Sequence, residues 1–142
     1  VIFTTDDGKV TILEAHSGEI ILTLPNQEKG IKKAMFFPSG NEILTASFGK
    51  NENLKVWSFP SGIIRKNHDF KEKMQTELWN GETSISKNAK FISIIGSDGK
   101  AKVHRSEDLS LINQKLLFSR FRPEESYICD LNHNGSLACI RT

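Results

Sequence analysis

The segment Asn51–Ile64, NENLKVWSFPSGII, is the most informative part of the sequence, because related segments occur on both sides of it. These are DGKVTILEAHSGEI from Asp7 and DGKAKVHRSEDLSL from Asp98, so that the three copies are spaced 44 and 47 residues apart. After its polar start, each copy alternates apolar and polar side chains with the period of two that is typical of a β-strand. Repetition at about 40–45 residues indicates the four-stranded blades of a β-propeller.

A second recurring element lies half a repeat away from the first. It reads KKAMFFPSGNEILTAS from Lys32, ETSISKNAKFISII from Glu82 and YICDLNHNGSLACI from Tyr127. In each copy, apolar runs flank a polar segment, which predicts an antiparallel hairpin. The pairs Asp7-Gly8 and Asp98-Gly99 predict further tight turns of type I′, because glycine accepts the positive φ that this turn requires.

Together the two elements predict an all-β chain built from β-propeller blades, each a four-stranded antiparallel meander. Residues 1–24 form a partial blade, residues 31–68 and 79–118 form two complete blades, and residues 127–142 open a fourth. Four blades need about 160 residues, and propellers have about four to eight blades. We therefore expect an incomplete ring within a longer protein, completed by the remainder of its own propeller or by other subunits.

The motif LKVWS at Leu54–Ser58 and the hairpin from Lys32 resemble those of the WD-repeat family. Blades of that family carry an Asp-Gly turn, an alternating strand, a Trp-Asp pair and a final strand. Here Ser58 stands in place of the Asp, and the pairs Leu13-Glu14 and His104-Arg105 occupy the equivalent positions. The family's Gly-His pair before the first strand is absent, so we expect its buried network of His, Ser or Thr, Asp and Trp to be incomplete. The resemblance covers essentially the whole chain and implies scaffolding of protein complexes.

The composition is that of an ordinary globular protein: 142 residues, 37% hydrophobic and 25% charged, with a net charge of +2. No apolar run approaches the roughly 20 residues of a membrane-spanning helix, and no secretory leader is visible. The two cysteines, Cys129 and Cys139, are too few for a disulfide framework, which favours an intracellular protein, cytoplasmic or nuclear. They flank the turn at Asn134, so we expect them to face each other across a hairpin.

No pattern in the sequence points to catalysis. The glycine-containing stretches SFGKNEN and GSDGK lack the spacing of phosphate-binding loops. The four histidines lack the spacing of a zinc site, and turn formation explains Asp6, Asp7 and Asp98. We expect no enzymatic activity, no cofactor and no metal. An alternative is the propeller part of a hydrolase or of a small-molecule-binding protein whose reactive groups lie elsewhere.

The connections before each first strand and the Asp-Gly turns are expected on one rim, where loops on a rigid scaffold can carry recognition. The candidate partner-binding residues on this rim are Lys29, Phe48, Lys50, Asn51, Lys73 and Asp98. A further alternative is an RNA-contacting subunit of a ribonucleoprotein, since basic clusters occur at Lys32-Lys33, Arg65-Lys66 and Arg120-Phe121-Arg122. Acidic residues among the basic ones favour an ordinary solvated surface instead.

Overall fold

The structure is a computed structural model that describes residues 1–5, 7–25, 31–47, 53–70, 82–95, 99–117 and 127–141, with the backbone alone for residues 127–129 and 137–141. Within these residues all regular secondary structure is β and every strand pairing is antiparallel. The predicted all-β class is therefore confirmed. This part of the chain contains no helix that could cross a membrane.

The described strands form four sheets, and in each sheet neighbours in sequence are neighbours in space. Sheet 1 has three strands, β1 (Ile2–Thr4), β2 (Val10–Leu13) and β3 (Ile20–Thr23). Sheet 2 has four, β4 (Ile31–Phe36), β5 (Glu42–Ser47), β6 (Asn53–Ser58) and β7 (Ile64–Asp69). Sheet 3 has four, β8 (Thr83–Ile85), β9 (Phe91–Ile95), β10 (Lys100–Arg105) and β11 (Leu111–Leu116). Sheet 4 has two, β12 (Tyr127–Leu131) and β13 (Leu137–Arg141), with Cys129 opposite Cys139 as expected.

One kind of turn joins the first and second strands of sheets 2, 3 and 4. Its fourth residue has a positive φ and donates its backbone N–H to the carbonyl three residues earlier. Gly40 donates to Phe37 and Gly135 to Asn132, at 2.9 and 3.1 Å. In sheet 3 the same position holds Ala89, whose φ is +60°. Alanine pays a conformational penalty in this left-handed region that glycine avoids.

A second kind of turn joins the last two strands of sheets 1, 2 and 3. Gly18, Gly62 and Leu109 occupy its left-handed position, and each donates its backbone N–H to the carbonyl four residues earlier, at 2.9–3.0 Å. Leu109 is a leucine with φ +60°, and its side chain is fully buried. Recurrence of both turns shows that the sequence repeat is also a repeat of backbone conformation.

The Asp7-Gly8 turn differs from the predicted type I′. The Gly8 N–H donates to the Thr5 carbonyl at 2.8 Å, and Gly8 has a positive φ, whereas Asp7 does not. Because a type I′ turn requires a positive φ at both central residues, the Asp7-Gly8 pair does not form one. Asp98, of the second Asp-Gly pair, lies outside the described residues.

A β-bulge marks the same place in sheets 1, 2 and 3. The register shifts immediately before Leu13 in β2, Trp57 in β6 and His104 in β10. Because the bulge and the following turn coincide, these three residues are structurally equivalent, as the sequence repeat predicts. The equivalence also aligns the strands beside them: Thr45 of β5 corresponds to Ile94 of β9.

The sheets pack on one another through two apolar clusters. One lies between sheets 1 and 2 and contains Val10, Ile12, Leu24, Ile31, Ile43 and Trp57. The other lies mainly between sheets 2 and 3 and includes Leu44, Leu54, Val56, Phe70, Ile92 and Ile94. Sheet 2 is therefore buried on both faces, which explains why β5 and β6 consist almost entirely of buried residues. Trp57 is 1% exposed, as predicted.

Candidate functional site

The predicted rim cannot be compared with the structure. Lys29, Phe48, Lys50, Asn51, Lys73 and Asp98 all lie outside the described residues, as do Arg120, Phe121 and Arg122. The described turns are mainly those of the opposite kind, at the other ends of the strands. The candidate surfaces below are therefore ones that sequence reasoning did not select.

An apolar groove lies between the outer half of sheet 3 and the turn of sheet 4. It has a volume of about 600 Å³, and its floor is formed by Ala101 and Val103 of β10. Ile112 of β11 and Leu117 line it as well, with 45% and 38% of their surface exposed. Concave apolar surfaces of this size with a few polar groups at their border are the usual form of a binding site.

Sheet 4 forms one wall of this groove, and its position is set by its turn. An added Cβ on Gly135 would lie 2.6 Å from the Phe91 ring, so the backbone of the turn rests directly on that ring. The Asn88 side-chain amide also donates to the His133 carbonyl. The turn of sheet 3 thus holds the turn of sheet 4, and the absence of a side chain at Gly135 permits the close approach.

The outer strands that flank these surfaces differ in charge. In β11 every residue is exposed, and Leu111, Ile112 and Leu116 expose about half of their surface, with Lys115 as the single charge. The outer strand of sheet 2, β7, carries Arg65, Lys66 and Asp69 as well as His68. Charges on an edge strand discourage pairing with other chains. Of these two edges, β11 is therefore the one better suited to contact a partner.

Trp57 makes a hydrogen bond that was not predicted from the sequence. Its indole Nε1–H donates to Thr45 Oγ1 at 2.9 Å, and both residues are fully buried between sheets 1 and 2. The buried network implied by the family resemblance was expected to be incomplete; what the structure shows is this one hydrogen bond between Trp57 and Thr45. The period of two in β5 indicates that Thr45 is near Trp57, because it places Thr45 on the same face as Ile43, the residue opposite Trp57.

His104 occupies the position of Trp57 in sheet 3 but has different partners. Its ring Nδ1 lies 3.0 Å from the Leu109 carbonyl, which can only accept, so Nδ1 carries the proton. The remaining nitrogen, Nε2, is buried and has no hydrogen-bond partner among the described residues. The residue in the place of Thr45 is Ile94, which cannot donate one.

Aromatic and cationic groups surround the His104 ring. The rings of His68 and Phe70 lie 5.2 and 5.4 Å from it, both edge to face. The buried Lys102 ammonium lies 5.0 Å from the Phe70 ring centroid, a cation–π contact. Burial lowers the pKa of His104 below its ordinary 6.5, and the nearby His68 and Lys102 lower it further against the opposing bond to Leu109. The side chain is therefore neutral near pH 7, as a packing residue of this interface.

Two of the described basic residues make contacts between sheets. Lys33 of β4 forms an ion pair with Glu82, with 3.2 Å between Nζ and Oε1. Lys66 Nζ donates to the Ser106 carbonyl of sheet 3 at 2.9 Å. Two members of the basic clusters considered for RNA thus take part in holding neighbouring sheets together. Within the described ranges no group of three or more His, Cys, Asp or Glu side chains is arranged to hold a metal ion.

Comparison with known proteins adds no assignment to these features. No protein-family model matches the chain, and no curated protein matches it in sequence. The functional interpretation therefore rests on the repeat, the packing of the sheets and the surfaces described above.

Proposed function

We propose that the chain is a protein-binding platform, a set of propeller-type blades of the WD-repeat kind that scaffolds a larger intracellular complex without catalysis of its own. The support for stacked blades is the recurrence of the same two turns and the same β-bulge, together with the burial of sheet 2 on both faces. Stacked sheets of this kind form a rigid base, on which exposed surfaces keep a fixed geometry.

The observation that carries the proposal is the stack of repeated sheets, and the described surface that we select for testing is the groove on sheet 3, beside the two strands of sheet 4. The groove is lined by the buried Ala101, the half-buried Val103 and the exposed apolar pair Ile112 and Leu117. An apolar centre with a polar border formed by Asn113 and Asn134 is the usual composition of a protein–protein contact. The partner-binding role of the rim that contains Lys29, Lys73 and Asp98 remains part of the same proposal.

The test is a comparison of matched variants in affinity purification from cells in which the protein occurs. The groove variant carries Ile112→Asp and Leu117→Asp, which place charges where an apolar partner surface would lie. Ile63→Asp is the matched control, because Ile63 is 62% exposed on a turn of sheet 2, away from the groove. Circular dichroism and thermal melting verify that the variants remain folded.

The proposal predicts a protein that the wild type and the control retain and that the groove variant loses, and that binds the purified chain directly. Loss of a groove side chain should weaken that binding by tenfold or more, about 1.4 kcal/mol. A set of partners identical for all three proteins would contradict the assignment of the groove. Recovery of RNA as the bound species would favour the ribonucleoprotein alternative.

A further inference from the structure

The two cysteines of the sequence occupy directly opposite positions in sheet 4. Cys129 of β12 lies opposite Cys139 of β13, with two further residue pairs between them and the turn. Both strands of this hairpin belong to the described part of the chain, and the turn that joins them is short. The pairing of the two cysteines is therefore a property of the hairpin itself.

The hydrogen bonds of the turn determine which kind of pair the cysteines form. The Asn132 N–H donates to the Ser136 carbonyl at 3.0 Å, so these two residues are a hydrogen-bonded pair. Hydrogen-bonded and non-hydrogen-bonded pairs alternate along an antiparallel hairpin. The pair of Cys129 and Cys139 is the third one outward from Asn132 and Ser136 and is therefore a non-hydrogen-bonded pair.

A non-hydrogen-bonded pair is the cross-strand position at which a disulfide fits best. Its Cα atoms are about 4.5 Å apart, compared with about 5.5 Å in a hydrogen-bonded pair. A disulfide joins residues whose Cα atoms are about 4.4–6.8 Å apart and whose Cβ atoms are about 3.5–4.5 Å apart. Opposite residues have Cβ atoms about 4.5–5.5 Å apart, and the shorter values belong to non-hydrogen-bonded pairs. The backbone of sheet 4 thus places two cysteines where little movement is needed to join them.

The equivalent pairs of the other sheets contain no cysteine. Ala34 lies opposite Thr45 in sheet 2, and Thr83 lies opposite Ile94 in sheet 3. Each is also the third pair outward from a hydrogen-bonded pair at the turn. Alanine, threonine and isoleucine suffice at these positions of the repeat, so the fold does not require cysteine at both of them.

We propose that Cys129 and Cys139 are a redox modification site, at which a reversible disulfide links β12 to β13. The chemical partner is a low-molecular-weight disulfide, of which glutathione disulfide is a common example. A reducing compartment keeps such a pair as two thiols, and the disulfides that form there are usually transient and redox-sensing. The inference concerns a modification of the chain and does not rest on the proposed role in protein binding.

The reaction consists of two successive thiol–disulfide exchanges. The thiolate of one cysteine attacks a sulfur of the small disulfide, which forms a mixed disulfide and releases the other half as a thiolate that takes up a proton. The thiolate of the opposite cysteine then attacks the protein sulfur of the mixed disulfide and releases the second half in the same way. The two cysteines lose two electrons and two protons, and the small disulfide is reduced to two thiols. An excess of small thiol reverses both steps.

The bond closes a short loop that contains the turn of sheet 4. Inside this loop lie Gly135, whose backbone rests on the Phe91 ring, and Asn134, which lines the groove. A disulfide removes open conformations of the chain between its two cysteines. Oxidation therefore holds the hairpin closed and fixes its turn against sheet 3.

The test is equilibration of the purified protein in buffers of reduced and oxidised glutathione, followed by acid quenching and mass spectrometry. We expect a monomer that has lost two hydrogen atoms and both reactive thiols, and that regains them in excess reduced glutathione. In one and the same buffer, the ratio of disulfide to dithiol should be at least about tenfold higher in the folded than in the urea-unfolded protein, because the fold holds the two cysteines opposite each other.

A register variant provides the matched control. It combines Cys139→Ser with Ala138→Cys, so that the chain keeps two cysteines and one of them moves by a single residue. Because successive residues of a strand lie on opposite faces of the sheet, the moved cysteine cannot bridge to Cys129. The variant should carry glutathione adducts in place of the intrachain disulfide, and circular dichroism verifies that it is folded.

Amide hydrogen exchange, followed by NMR, measures the effect on the hairpin in the wild-type protein alone. The Gly135 N–H donates to Asn132 within the loop that the disulfide closes, and the Gly40 N–H donates to Phe37 in the corresponding turn of sheet 2. Oxidation should slow the exchange of Gly135 at least about tenfold relative to that of Gly40. An equal change at both glycines would contradict the conclusion that the bond fixes the hairpin.

Four results would overturn the assignment of the redox site. Two are retention of both thiols in every glutathione buffer, and glutathione adducts on both cysteines without an intrachain bond. The third is a disulfide that is no more abundant in the folded than in the unfolded protein. The fourth is an intrachain disulfide that forms as readily in the register variant as in the wild type, since the bond would then not depend on the pairing of Cys129 with Cys139.

Discussion

Trp57 in sheet 2 and His104 in sheet 3 occupy the same position in the repeat, yet their polar groups are satisfied in different ways. Trp57 donates across its sheet to Thr45, so that the one polar atom of the indole has a partner. His104 donates along the chain to Leu109, and its second nitrogen is buried with no hydrogen-bond partner in the part of the chain that the structure describes. Equivalent backbone positions therefore do not ensure equivalent hydrogen bonds. The neighbouring position on the adjacent strand holds Thr45 in sheet 2, which can accept a hydrogen bond, and Ile94 in sheet 3, which cannot form one.

The largest effect is expected from truncating Trp57, the side chain whose polar atom has a hydrogen-bond partner. Trp57→Ala should lower the free energy of unfolding by about 3–5 kcal/mol, since it leaves a cavity between sheets 1 and 2. Urea denaturation followed by circular dichroism measures this. Trp57→Phe, which keeps a ring but lacks the N–H, is the control and should cost less. A loss below about 1 kcal/mol for alanine would contradict the packing of Trp57 in this interface.

The second prediction separates the hydrogen bond from the packing of the indole. Thr45→Val keeps the shape of the side chain but leaves the buried indole N–H without an acceptor, which should cost about 1–3 kcal/mol. The exposed Thr23→Val is the control and should cost much less. In the Trp57→Phe background the cost of Thr45→Val should largely disappear, and strict additivity in this double-mutant cycle would show that the two groups do not interact.

The third prediction is a pH dependence that belongs to His104. Its pKa is lower in the folded protein than the ordinary 6.5, so the unfolded chain binds more protons below that pH. The resulting stability is fully present above about pH 6.5 and is lost as the pH falls, with a slope of at most about 1.4 kcal/mol per pH unit for one group.

Denaturation at several pH values between 5 and 7.5 measures this slope, in a window above the range in which carboxylates titrate. Glu14 does not contribute there, because N–H groups of Ser17 and His16 hold its pKa at about 2. The comparison is with His104→Leu, in which the slope of the unfolding free energy against pH between pH 5 and 7.5 should become smaller. An unchanged slope in that variant would assign the pH dependence to other groups.

The fourth prediction transfers the arrangement of sheet 2 to sheet 3. Ile94→Thr places a hydroxyl donor at the position that Thr45 occupies in sheet 2, and we expect it to donate to His104 Nε2. A buried hydroxyl without a partner usually makes Thr about 1–3 kcal/mol worse than its isostere Val. Here Ile94→Thr and Ile94→Val should be equally stable, because the new bond offsets that penalty. In the His104→Leu background, Ile94→Thr should again be less stable than Ile94→Val. If Ile94→Thr is also less stable than Ile94→Val when His104 is present, the expected bond to His104 does not form.

The smallest effect is expected at the turn before β9. Ala89 has φ +60°, where Gly40 and Gly135 stand in the other sheets. Ala89→Gly should raise the stability by about 0.5–1 kcal/mol, measured as an increase in Tm. Leu109→Gly is the informative counterpart: it relieves the same backbone strain but removes a fully buried side chain, so it should destabilise the protein. A stabilising Leu109→Gly would contradict the burial of that leucine.

Much of the fold follows from two local patterns in the sequence. The alternation of Leu54 and Val56 with polar residues, and its recurrence near Val10 and Ala101, predicts antiparallel strands that the structure contains. The register of Cys129 opposite Cys139 follows from the symmetry of a hairpin about its turn. Such features are predictable because the period of two and the geometry of short turns act between residues that are close in sequence.

The features that were missed depend on contacts between strands or sheets. The bond from Trp57 reaches Thr45, two positions along β5 from the residue opposite Trp57, and this diagonal side-chain contact cannot be derived from the alternation alone. The groove results from how sheet 4 rests on Phe91, a contact between residues 44 positions apart in sequence. The type predicted for the Asp7-Gly8 turn was wrong, because the same dipeptide also suits a loop that is one residue longer.

Gly135 has a consequence for how this sequence can diverge. Two independent constraints act on it, a positive φ of +82° and the Phe91 ring within 2.6 Å of any Cβ. Asparagine adopts such a positive φ in many proteins, but the Phe91 ring leaves no room for any side chain at position 135. A lineage could therefore replace the glycine only after position 91 had become smaller, and that change would enlarge the groove. In related chains, a side chain at position 135 should accompany a small residue at position 91, and the groove should vary with the pair.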